Sequence, residues 1–175
     1  MKLLLTLLLA LASATAGAAS REQIDAQVRE ALEEFRETTS AGHELSQKAI
    51  GVLVFPDVIK AGMGIGGEYG EGALLVGGET VAYYSLASAS IGFQLGAQKR
   101  SQIVLFMTQE SLDSFRNSDG WKAGVDGSVA LATLGAGGAI DTKTAKQPII
   151  GFIFSNKGLM YNLTFEGSKM TQIER

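Results

Sequence analysis

The chain has 175 residues, with 22 glycines, two prolines, one histidine and no cysteine. That length fits one domain, the missing thiol excludes disulfides, zinc–thiolate and iron–sulfur sites and cysteine catalysis, and a lone imidazole excludes every multi-histidine metal site. Hydrophobic residues make up 46% and charged ones 19%, far from a disordered composition, and a net charge of −3 lacks the basic surface that nucleic-acid binding needs.

Residues 1–18 read as a secretory signal peptide: Lys2 is the charged start, Leu3 to Ala12 the apolar stretch, and Ala16-Gly17-Ala18 the small-residue cleavage site. The apolar run falls short of the roughly 20 residues a membrane span needs. Cleavage after Ala18 leaves 157 residues and removes one basic side chain, for a charge of −4. The sequence therefore predicts a periplasmic or secreted chain with one domain over 19–175. Its first part, 20–49, is helical; 50–175 is mainly β, with one helix near 109–117.

Ile24, Val28, Leu32 and Phe35 recur at helical spacing, and Ser20 with Gln23 forms a capping box. This helix carries three arginines against six carboxylates. A short second helix follows, with Leu45 and Ala49 on its inner face. From Gly51 the pattern changes. Val52–Phe55 reads as a buried strand stopped by Pro56. Met63–Tyr69 and Ala73–Val76 read as separate short strands, and Gly77-Gly78 as a hairpin turn. In residues 87–98, Ala87, Ala89, Ile91, Phe93, Leu95 and Ala97 alternate with small and polar residues, the period of a half-buried strand.

Gln102–Met107 reads as a central strand, and Thr108 caps a helix whose Leu112 and Phe115 point inward. Val125–Ala139 reads as a pair of small-residue strands. Ile149–Ser155 and Leu159–Phe165 flank a hairpin signal, Asn156-Lys157-Gly158. Glu166-Gly167-Ser168 turns into a last strand, Lys169–Ile173. Glycine within strands marks bulges, bends or close backbone approach. The predicted class is α+β: N-terminal helices packed on a glycine-rich, curved antiparallel sandwich or barrel-like sheet.

Motifs for chemistry mostly fail. Gly62-Met63-Gly64-Ile65-Gly66-Gly67 matches a dinucleotide fingerprint in spelling, but a strand follows it where a helix is required. His43 sits in a polar helical connector, and no nucleophile elbow accompanies it. Glu68, Glu71 and Glu79 lie near one another in sequence and offer acid–base chemistry only if folding joins them. No calcium loop is present. No catalytic residue, cofactor or metal is expected.

Longer segments carry a resemblance. Gly51-Val52-Leu53-Val54-Phe55-Pro56, Lys60-Ala61-Gly62-Met63-Gly64-Ile65-Gly66-Gly67 and Tyr69-Gly70-Glu71-Gly72 resemble the SYLF domain family. So do Tyr83-Tyr84-Ser85, Gly92 to Gln98, Phe115 to Trp121, Phe154 to Met160 and Glu166-Gly167. The likeness runs over about residues 45–174. It implies a non-enzymatic lipid-binding module. Eukaryotic members bind phosphoinositides through a basic surface and an N-terminal amphipathic helix, yeast relatives also bind actin, and bacterial members are exported. Lys60 stands at the basic position of the family's K-A-G-x-G segment, and Arg116 and Lys157 fall on matching motifs; these three are the lipid-contact candidates. The acidic first helix departs from the eukaryotic pattern, and actin is not expected as a partner of an exported chain. The expected partner is a phospholipid or membrane surface; the alternatives are a scaffold binding an envelope protein, and a hydrolase.

Overall fold

A computed structural model of the chain describes residues 18–133, 139–155, 158–159 and 163–175. The signal-peptide reading, apart from Ala18, lies outside these residues. Helix α1, Arg21–Thr38, starts at the expected capping box: Ser20 Oγ accepts from Gln23 N–H and Gln23 Oε1 accepts from Ser20 N–H. Helix α2, Ser40–Lys48, is capped by Thr39. At the corner between them a Cβ on Gly42 would lie 2.6 Å from the Phe35 ring, so only glycine lets the helices meet this closely.

The sheet is built on one long hairpin. Strand β1 runs unbroken from Gly51 to Val76 and β2 from Glu79 to Phe106. Gly77 and Gly78 join them with φ of +62° and +84°, a two-residue turn that favours residues without a Cβ. Pro56, expected to end the strand, lies inside it. The register shifts between Phe55 and Val58, a bulge that accommodates a residue with no N–H to donate. The separate strands expected at 63–69 and 73–76 are likewise parts of β1.

Strand β3 is Trp121–Lys122, β4 Ala130–Leu131, β5 Ile149–Ser155, β6 Gly158–Leu159 and β7 Lys169–Ile173. The second half of β2 pairs with β5, and its first half with β7. The long strand is thus shared by two groups of neighbours and the sheet curls into a half-barrel. The sheet is mixed, because β4 runs parallel to β5, which corrects the all-antiparallel expectation. Two other expectations fail. Within 125–133 and 139 only β4 is strand, and residues 163–165 form none. Helix α3, Gln109–Arg116, begins at Thr108 as expected; a four-residue helix α4, Thr142–Ala145, was not foreseen.

The curl is tight enough that β1 meets itself. A Cβ on Gly72 would lie 1.9 Å from Val54 O, and one on Gly70 2.9 Å from Asp57 O. Two apolar layers flank the curled sheet. One holds Ile24, Val28, Leu32 and Phe35 of α1 against Val52, Val54, Ile103, Leu105 and Phe152. The other joins Leu53, Phe55, Tyr84, Phe106, Phe115 and Trp121. Burying each large apolar side chain contributes about 1.5–3 kcal/mol, so these layers anchor the hairpin's base and leave its bend to project.

Candidate functional site

The bend of the hairpin, around residues 58–70 of β1, inverts the usual polarity of a sheet. Successive side chains of a strand point to opposite faces. Val58 and Glu68 are buried, Gly70 is buried, and Lys60 is half-buried, whereas Ile59, Ala61, Ile65, Gly67 and Tyr69 are exposed. The outward row contains no charged side chain on β1. Across the register, Tyr69 pairs with Ala87 and Gly67 with Ala89, both exposed, and Ile59 pairs with Lys99. Ile65 is 77% exposed, Tyr69 53% and Ile59 52%. Only Val81 and Val125 are the other large apolar side chains so exposed among the described residues.

The described part of the alternating segment 87–98 therefore faces opposite to the usual burial of apolar rows: Ala87 and Ala89 look outward and Ser88 is half-buried. Periodicity gives two faces but does not say which one the curl turns inward. The side chains of 90–97 lie outside the described residues.

The inward side of the bend holds charge. The buried Arg100 guanidinium donates through Nη2 to Glu68 Oε2, and Lys60 Nζ stands 3.7 Å from Glu68 Oε1. Arg100 and Gln102 are two residues apart on β2 and share the inner face; Arg100 Nε and Gln102 Oε1 are both buried without a hydrogen-bond partner. Outside, Lys99 Nζ pairs with Asp57 at 2.7 Å, and Gln27 of α1 donates to the same carboxylate at 3.3 Å.

Two of the three lipid-contact candidates fall within the described residues, on different elements. Lys60 points inward to Glu68. Arg116 is exposed in the last turn of α3, where its charge opposes the upward push of burial on the Tyr84 phenol. Lys157 lies outside the described residues. Sequence reasoning missed Lys99, the basic side chain that does stand on the outer row, and missed Arg100 as Glu68's partner. The carboxylates of the hydrolase alternative also diverge. Glu68 turns in, Glu71 pairs with Arg175, and Glu79 is exposed beside the hairpin turn. His43 is exposed on α2, its Nε2 2.9 Å from the Gln47 amide. Among the described residues no three His, Asp or Glu side chains gather as a metal set.

A family model described as Ysc84, Las17-binding protein actin regulator, matches residues 87–175, just over half the chain. The chain belongs to this family, the SYLF family. The match runs from the middle of β2 to the end of the chain and includes α3 and β5. The SYLF-like segments of β1, including Lys60, precede it. No curated protein matches the chain.

Proposed function

We propose that this SYLF domain is an exported, non-enzymatic protein that binds phospholipid membrane surfaces with the outer face of its hairpin bend. The observation that carries the reading is the apolar row Ile59, Ala61, Ile65, Gly67 and Tyr69, turned outward over a charged inner side. Strands that meet lipid alternate apolar outward and polar inward, and exposed apolar patches on soluble proteins mark interaction surfaces. A sheet face needs no spanning helix for this; among the described residues no helix is long and apolar enough to cross a membrane.

The mechanism has two parts. Ile59 and Ile65 enter the acyl boundary and lose water contact, which favours binding by about 1.5–3 kcal/mol for each fully buried side chain. Lys99, the cross-strand partner of Ile59, leaves its ion pair with Asp57 to meet the headgroup layer. A lysine near an anionic surface adds about 1 kcal/mol. The net acidic body makes binding depend on this local face rather than on overall attraction.

Flotation of the purified protein with liposomes of graded anionic content tests the reading. Wild-type protein floats, and Ile59→Asp with Ile65→Asp reduces bound protein at least about tenfold, since each loss exceeds 1.4 kcal/mol. Thermal stability of the double variant stays near wild type, because both side chains already face water. Failure of the wild type to float on any composition contradicts the proposal. Equal flotation of the variant would move the contact elsewhere and equally overturn it.

A further inference from the structure

Where α1 and α2 end against the tight turn of the hairpin, they leave a surface cavity of about 230 Å³. Its floor is apolar: Leu32, Val52 and Leu75 are buried side chains of the core, and the half-buried Ile50 lies with them. Its rim carries Arg36, in the last turn of α1, and the turn residues Gly77 and Gly78. Arg36 Nε donates to Ser46 Oγ at 3.4 Å, and Ser46 Oγ donates in turn to His43 O at 2.9 Å, which fixes the guanidinium at the cavity wall. Among the described residues its two Nη groups have no acceptor, and no carboxylate lies within ion-pair distance of it. The N–H groups of Gly77 and Gly78 are likewise unbonded there.

The surroundings select the ligand. Other cavities among the described residues mix cations with carboxylates: Lys99 with Glu30 and Asp57 in one, Arg21 with Glu174 in another, Lys48 with Glu44 in a third. The cavity at Arg36 has a cation and no carboxylate on its wall. A guanidinium with both Nη groups open matches a planar carboxylate, whose two oxygens accept from the fork together. One cation balances one negative charge. The apolar floor favours an alkyl tail, which loses water contact on binding. The volume is roughly that of eight waters in the liquid, so the ligand has about eight non-hydrogen atoms. We propose that this cavity binds a short-chain monocarboxylate, with the carboxylate on the Arg36 fork beside the turn and the alkyl chain over Leu32, Val52 and Leu75. The proposal stands apart from the membrane reading. The cavity lies at the turn end of the hairpin, the apolar row at its bend, and this ligand needs no bilayer.

Calorimetric titration of the purified protein at fixed ionic strength tests it with sodium hexanoate, which matches the cavity in size, against acetate, hexan-1-ol and butyl phosphate. Saturable binding of one hexanoate per chain is expected. Acetate lacks the tail and hexan-1-ol the charge, and each binds at least about tenfold more weakly. Arg36→Gln weakens hexanoate binding about tenfold or more, the size of a charge-assisted hydrogen bond. Ala49→Leu enlarges a side chain on the cavity wall without removing a charge. It weakens binding too, and keeps the test open should Arg36→Gln fail to fold. Absence of saturable hexanoate binding, or an unchanged affinity in either folded variant, overturns the proposal. Equal affinity for hexan-1-ol, or tighter binding of butyl phosphate, overturns the choice of a carboxylate.

Discussion

Single residues decide whether the hairpin can curl. The Cβ that Gly72→Ala introduces meets backbone, Val54 O at 1.9 Å, and backbone cannot swing aside as a side chain can. We expect it to destabilise the protein by more than about 4 kcal/mol, in the range reserved for strained or overpacked positions. Gly77→Ala meets nothing within 4 Å and carries only the cost of φ +62°, about 1–2 kcal/mol. Urea denaturation of the two variants separates crowding from backbone conformation. Tyr84 gives a pH signature. Burial raises its phenol above the usual value, and Arg116 partly offsets this. A raised folded pKa favours the neutral phenol, so the stability it contributes is complete below about pH 10 and is lost as pH rises through the folded value. Thermal melts should therefore hold up to about pH 10 and then fall, less steeply for Tyr84→Phe. A spectrophotometric titration should show the Tyr84 pKa rising further in Arg116→Ala.

At the scale of elements, the helices were legible because their signals are local. Ile24, Val28, Leu32 and Phe35 lie on one face, and Ser20 and Thr108 cap α1 and α3 where the sequence placed them. Phe35 packs on Phe152 and Phe154, with ring centroids 4.6 and 5.8 Å away. Truncation by Phe35→Ala should cost about 3–5 kcal/mol, whereas Ser20→Ala, which removes a cap, should cost about 1 kcal/mol. Thermal denaturation ranks the two. The tight turn at Gly77-Gly78 and the strand Lys169–Ile173 were equally plain. Strand β1 was not. Pro56 and the glycines at 62, 70 and 72 read as interruptions, yet hairpin pairing with β2 carries the chain through them. Those glycines are the condition for one strand to bend rather than the sign of several strands ending. The opposite difference lies in the described part of 125–139, where the small-residue pattern reads as a pair of strands and only Ala130–Leu131 is strand, pairing with β5.

For the whole molecule, the decisive property is which way the bend faces. Its two rows were visible in the alternation of 87–98, but burial depends on the curl, and the curl on contacts between Gly70, Gly72 and a segment more than ten residues earlier. No local pattern encodes that. The same long-range arrangement turns Lys60 toward Glu68 and leaves Lys99 on the surface beside Asp57. The membrane reading rests on the apolar row rather than on these basic side chains.

The absence of cysteine permits a direct measurement of that row. Single cysteines at Ile65 and, as a control, at the equally exposed Val125 can each carry an environment-sensitive fluorophore. With anionic liposomes, the account predicts a blue shift at position 65 and quenching there by spin-labelled acyl chains, while position 125 keeps its aqueous spectrum. A probe at 65 that remains in water while the protein is bound, or one that matches 125, would contradict it.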